Sequence, residues 1–132
     1  GFPLQDVRAT LTAAEMHETL SNETAFDAAG SQAVANALHK AAPTLLEPIM
    51  TVQVAIPSDY VGRIMGDLNA RRVQILGVEA RDTDEVIMAE APLAEMFRYT
   101  TTLRSLTQGR GTHTLEFARY EAVPPSLVQA AL

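Results

Sequence analysis

Apolar and polar residues follow two rhythms along this chain, and the switches between them mark its elements. Over residues 2–11, Val7, Ala9 and Leu11 alternate with Arg8, Thr10 and Thr12, the period of two that predicts a half-buried strand. Ser21 or Asn22 then offers a helix cap. From Glu23 to Ala41 the apolar positions Phe26, Ala29, Ala33, Ala37 and Ala41 recur at intervals of three and four, predicting a helix about 28 Å long. Its face is mostly alanine, so it packs closely and buries little. One strand and one helix cannot close a core.

Pro43 stops that helix, and PTLLEP, Pro43 to Pro48, reads as a linker. The period of two returns where Met50, Val52, Val54 and Ile56 alternate with Thr51, Gln53 and Ala55, a strand ended by Pro57. Ser58 is the expected cap of the next helix, with Tyr60, Ile64 and Leu68 along one side. Gly62 and Gly66 weaken that helix, which predicts a strand passing close beside them. Val73 to Ala80 and Glu85 to Ala91 read as strands joined by the polar turn Arg81 to Asp84. A second helix places Tyr99, Leu103 and Leu106 on one face, with Arg98, Thr102 and Ser105 elsewhere. Gly109 is its stop and Gly111 a place of close backbone approach, so Arg110 is held out on a short stiff loop. Thr112 to Tyr120 is the fourth strand, with Leu115 and Phe117 on one face and Phe117 and Tyr120 on opposite faces. After Pro124 and Pro125, Ser126 opens a last short helix that stops at Leu132. The order βαββαβ predicts an α+β, ferredoxin-like plait, with both helices on one face of a four-stranded antiparallel sheet.

PLAEMFRYTTTLRSLTQGRGT (92–112) and LEFARYEAVP (115–124) resemble the C-terminal domain of elongation factor G, the ribosomal translocase GTPase. LLEPIM at 45–50, the Tyr60, Gly62, Gly66 and Leu68 pattern, and the Arg71, Arg72 pair before QILG fit the same domain. GFPLQDVRATL and AFDAAGSQA resemble the last strand and helix of the preceding domain, the fourth of that factor. The resemblance implies three parts: residues 1–43 as the end of a truncated domain four, 44–123 as domain five, and 124–132 as the start of a C-terminal helix. Gly1 itself reads as an artificial boundary or an internal cut, and the resemblance implies that the whole chain is the tail of a larger protein.

Net charge is −6 over 132 residues, and the acid reads as evenly spread, with eight arginines against eleven acids in residues 46–132. Non-specific nucleic-acid binding by bulk charge is therefore disfavoured, DNA is not expected as a partner, and any RNA contact must be local. Nearly all the base is arginine, which reads either as suitability for bidentate phosphate contact or as codon usage. There are no cysteines, so disulfides and thiolate metal sites are excluded. No apolar run is long enough for a membrane span and no signal segment opens the chain, so a cytoplasmic location is expected.

No GxxxxGK[ST] loop occurs, so this part should not hydrolyse GTP, and no cofactor is expected here; the resemblance places GTP and Mg in the parent protein. His17, His39 and His113 lie on different elements without a second ligand at metal spacing, and Ser105 reads as a helix-surface hydroxyl. Glu90 reads as outward-facing on its strand, and Glu95 as part of a first helical turn. Arg71 and Arg72 are either partners of a helix C-terminus or phosphate contacts. Arg110 is either an external contact or half of a salt bridge.

The resemblance implies a part in translation. The family binds the ribosome in its GTP form and drives movement of tRNA and messenger RNA. Its last domain lies against large-subunit ribosomal RNA and proteins of the factor-binding centre. By that likeness Arg71, Arg72, Gln108 and Arg110 are the expected ribosome contacts. Arg98 and Val73 stand where the pattern has glycine, and Thr102 where aspartate is commoner, which favours a divergent paralogue over the housekeeping factor and leaves a recycling or ribosome-protection role open. A free-standing small-ligand or regulatory plait is the rival from another class, and residues 1–43 leave dimerisation or swapping open. RNA-recognition motifs share the plait but stack bases on aromatics of the central strands.

Overall fold

The computed structural model describes residues 2–131, so Gly1 and Leu132, sites of the expected cut and helix end, lie outside the described residues. The chain divides into two compact units, Gly1–Pro43 and Thr44–Leu132. In the first, helix α1 spans Glu23–Ala41. Its start is fixed by Asn22, whose side-chain oxygen accepts from the Ala25 amide at 2.8 Å. Ala42 ends it in the left-handed conformation, φ 52°. None of its residues is buried.

The expected strand over residues 2–11 does not form; no strand occurs among the described residues before α1. A strand exists only by sharing its backbone donors and acceptors with a neighbour, and here Val7 and Leu11 remain 54% and 85% exposed. The alternation is present in the sequence, but the ladder that would use it is not.

The second unit is the plait. Strand β1 spans Leu46–Pro57, helix α2 Val61–Asn69, β2 Gln74–Arg81, β3 Asp84–Pro92, α3 Tyr99–Leu106 and β4 Thr112–Ala122; α4, Pro125–Ala131, follows. All strand pairs are antiparallel and the order is β2-β3-β1-β4. The sheet is therefore longer than the sequence rhythm shows: Leu46, Glu47 and Pro48, read as linker, pair with Ala122, Glu121 and Tyr120. On one face Val52, Val54, Ile56, Ile87 and Ala89 are wholly buried, and onto them pack Ile64 and Leu68 of α2 and Tyr99 and Leu103 of α3. Each such aliphatic burial is worth about 1.5–3 kcal/mol.

Two local expectations give way. Ser58 does not cap α2, because Ser58–Tyr60 is a 3-10 turn and the helix begins after it with no side-chain cap. No strand passes Gly62 or Gly66; both are exposed, with nothing within 4 Å of a Cβ built there. Gly111 does meet the expectation of close approach, since its Cβ would lie 2.9 Å from Leu103 and Thr107 side-chain atoms.

A bulge corrects the reading of β4. The register steps between Ile49/Arg119 and Met50/Phe117, leaving Ala118 without a partner across β1. The extra residue cancels the odd spacing of Phe117 and Tyr120, so their rings meet at 5.0 Å instead of facing apart. Both lie on an edge strand; the central strands β1 and β3 carry no aromatic residue.

Candidate nucleic-acid interface

The loop after α3 is built around a buried hydroxyl. Thr107 is fully buried, its Oγ1 donating to the Leu103 carbonyl at 2.7 Å and accepting from the Gly111 amide at 2.8 Å. The Gly109 amide donates to the Arg104 carbonyl at 2.8 Å, and the Arg110 amide to the Thr107 carbonyl at 3.1 Å. Gln108 and Gly109 take positive φ of 54° and 81°, costly for glutamine and cheap for glycine. Arg110 is thereby fixed on both sides while its side chain stays exposed, the guanidinium 5.8 Å from the Tyr60 ring centroid. Arg63 of α2 reaches the same end of α3, donating to the Leu106 carbonyl at 3.4 Å.

Arg71 and Arg72 lie elsewhere. Tyr60 precedes α2 and the arginine pair follows it, about 13 Å away along the helix axis. The Arg71 Nε donates to Asp67 at 3.1 Å and its Nη1 to the Glu95 carbonyl at 2.8 Å, with the guanidinium 5.2 Å from the Tyr99 ring centroid. It ties the end of α2 to the 3-10 turn Leu93–Met96 before α3. Arg72 forks onto both carboxylate oxygens of Glu47, and that hydrogen bonding raises its pKa. The four expected contacts therefore do not form one patch: Gln108 and Arg110 share a loop, and the pair at 71–72 is engaged internally.

Charge is sorted by layer, which corrects the reading of an even spread. The helical layer, residues 58–72 and 93–111, holds Arg63, Arg71, Arg72, Arg98, Arg104 and Arg110 against only Asp59, Asp67 and Glu95. The strands and their hairpin turn hold Arg81 and Arg119 against eight acids. Both of those arginines are paired. Arg119 forks onto Glu90 at 2.8 and 2.9 Å and meets Glu121 at 2.7 Å, while Arg81 lies 3.4 Å from Glu79. Hydrogen bonding from Arg119 holds the Glu90 carboxyl below the usual range and raises the guanidinium's own pKa. By contrast Arg98, Arg104 and Arg110 are exposed and make no side-chain hydrogen bond or ion pair among the described residues.

The histidines do not assemble: among the described residues no three His, Cys, Asp or Glu side chains gather as metal ligands. His113 instead packs edge-on against Tyr99, centroids 5.3 Å apart at 84°, and burial lowers its pKa. Sequence reasoning missed Thr107, Tyr60 and Arg63 as supports of the loop. The spacing of Thr107 and Gly111 was visible, but nothing in it discloses a hydroxyl that both donates and accepts.

Fold and surface together define a ferredoxin-like plait with an acidic sheet and a basic helical layer. The chain belongs to the elongation factor G family: residues 44–131 match the family model for the elongation factor G C-terminus, and residues 1–42 match that for elongation factor G domain IV. It is thus part of an elongation-factor-G-like translation factor. Among solved structures it is similar to a protein of Thermus thermophilus, with 45% identity, a TM-score of 0.73 and 86% of this chain covered. This chain spans 17% of that protein's length. Among the described residues no helix is long and apolar enough to cross a membrane.

Proposed function

We propose that this chain is the ribosome-facing C-terminal part of a translational GTPase that promotes GTP-dependent translocation of tRNA and messenger RNA. GTP and Mg are bound and hydrolysis occurs in another part of the complete protein, in the cytoplasm. The observation that carries this reading is the sorting of charge: every exposed arginine of the plait without an internal partner lies on the helical layer. Against the chain's net charge of −6, only such a local surface can attract a phosphate backbone. Arg110 is the leading contact, since its loop is fixed while its guanidinium keeps its donors for a phosphate. Large-subunit ribosomal RNA, with proteins of the factor-binding centre beside it, is the partner. In the complete protein that carries this chain, Arg110→Ala is expected to weaken binding to large ribosomal subunits about tenfold at fixed salt, the low end for one hydrogen bond to a charged group. The thermal midpoint of the 132-residue chain should barely move. Unchanged affinity would contradict the reading.

A further inference from the structure

Of the two residues before α3, Phe97 has an ordinary extended backbone, φ −59°, ψ 129°, and Arg98 does not. Arg98 sits at φ 61°, ψ 11°, a left-handed conformation that a side chain makes costly and glycine does not. The conformation is imposed from both sides. Met96 before it is 4% exposed and Tyr99 after it wholly buried, and the preceding turn is held by Arg71 on the Glu95 carbonyl. The Arg98 carbonyl accepts from the Thr101 amide at 3.1 Å, opening α3. With its neighbours anchored inside, Phe97 is pushed out to 70% exposure. This packing holds the strained backbone in place, while the Arg98 side chain itself has no hydrogen bond or ion pair among the described residues. Asp82, also at positive φ, is a residue type that tolerates this region, and it closes a tight turn.

We infer that Phe97 and Arg98 form a second RNA contact, Phe97 stacking on an unpaired base and Arg98 meeting a phosphate beside it. This rests on the reading of the helical layer as the RNA-facing side. Backbone strain costs free energy and clusters at sites that meet a ligand, so a strained, exposed arginine points to an external partner. An exposed aromatic ring next to an unpaired guanidinium matches how proteins hold single-stranded RNA. The surrounding layer has the basic excess that a nucleic acid requires, whereas a basic protein partner would be repelled. The pair lies at the opposite end of α3 from Arg110, about 12 Å along the helix axis, a span of a few nucleotides.

Stability and binding should move in opposite directions in one variant. Arg98→Gly is expected to raise the thermal midpoint of the 132-residue chain by about 4 °C. In the complete protein it should weaken binding to purified large ribosomal subunits about fivefold. Phe97→Ala should weaken binding about tenfold with little change in midpoint. A photoreactive group at position 97 should crosslink to ribosomal RNA; a crosslink to ribosomal protein alone overturns the inference. A stabilised Arg98→Gly variant with unchanged affinity also overturns it. If Arg110→Ala weakens binding while Arg98→Gly and Phe97→Ala do not, this inference fails and the reading of the helical layer stands. If none of the three weakens binding, both fail.

Discussion

The helical layer and the sheet of residues 44–131 use arginine in opposite ways. On the sheet, Arg119 is clasped by Glu90 and Glu121, so a cation in an acidic neighbourhood is spent on holding strands together. On the helices, Arg71 does similar internal work, but Arg98, Arg104 and Arg110 are exposed and unpaired among the described residues. A net charge describes neither surface. Sorting matters more than the total, because an exposed charge acts over about 8–10 Å at physiological salt.

The two layers keep their contrast only while the core between them holds. The largest expected effect is therefore Leu103→Ala, which opens a cavity where α3 meets the sheet and Gly111. Its side chain is 1% exposed, so urea unfolding should show a loss of about 2–5 kcal/mol. Next comes alkali. The Tyr99 hydroxyl is buried without a hydrogen-bond partner among the described residues, and burial, with the nearby Asp67 charge, pushes its pKa up to about 12 from an ordinary 10.0. The unfolded chain releases that proton first as pH rises. Stability should therefore fall by about 1.4 kcal/mol per pH unit between 10.0 and about 12, and be unaffected by this group below that window. Tyr99→Phe should remove this loss. The smallest effect sharpens the contrast itself: Arg119→Ala, on the exposed sheet face, should leave ribosome affinity unchanged and stability nearly so.

The plait was legible because its core obeys the two periods closely. Val52, Val54 and Ile56 alternate, and Ile64 with Leu68 and Tyr99 with Leu103 recur at helical spacing; all are buried as read. What misled was local. The alternation at Val7 to Leu11 had no partner strand, and one extra residue at Ala118 reversed the relation of Phe117 to Tyr120. Of the site, the stiff loop around Arg110 followed from Gly109 and Gly111. The engagement of Arg71 and Arg72 did not, since Glu95 and Glu47 are 24 and 25 residues away along the chain. The sorting of charge was hidden for the same reason: acids and arginines mix along the chain and separate only when helices and strands form two layers. Arg98, noted as a departure from glycine, acquires meaning only once its φ is known.

The most direct test is the salt dependence of large-subunit binding by the complete protein, with Arg110→Ala and Arg119→Ala compared against the unaltered chain. If the helical layer meets phosphate, the slope of log K against log salt should fall by about one for Arg110→Ala and stay the same for Arg119→Ala. Equal slopes for all three proteins, or a fall confined to Arg119→Ala, would contradict the assignment of the helical layer as the ribosome-facing side.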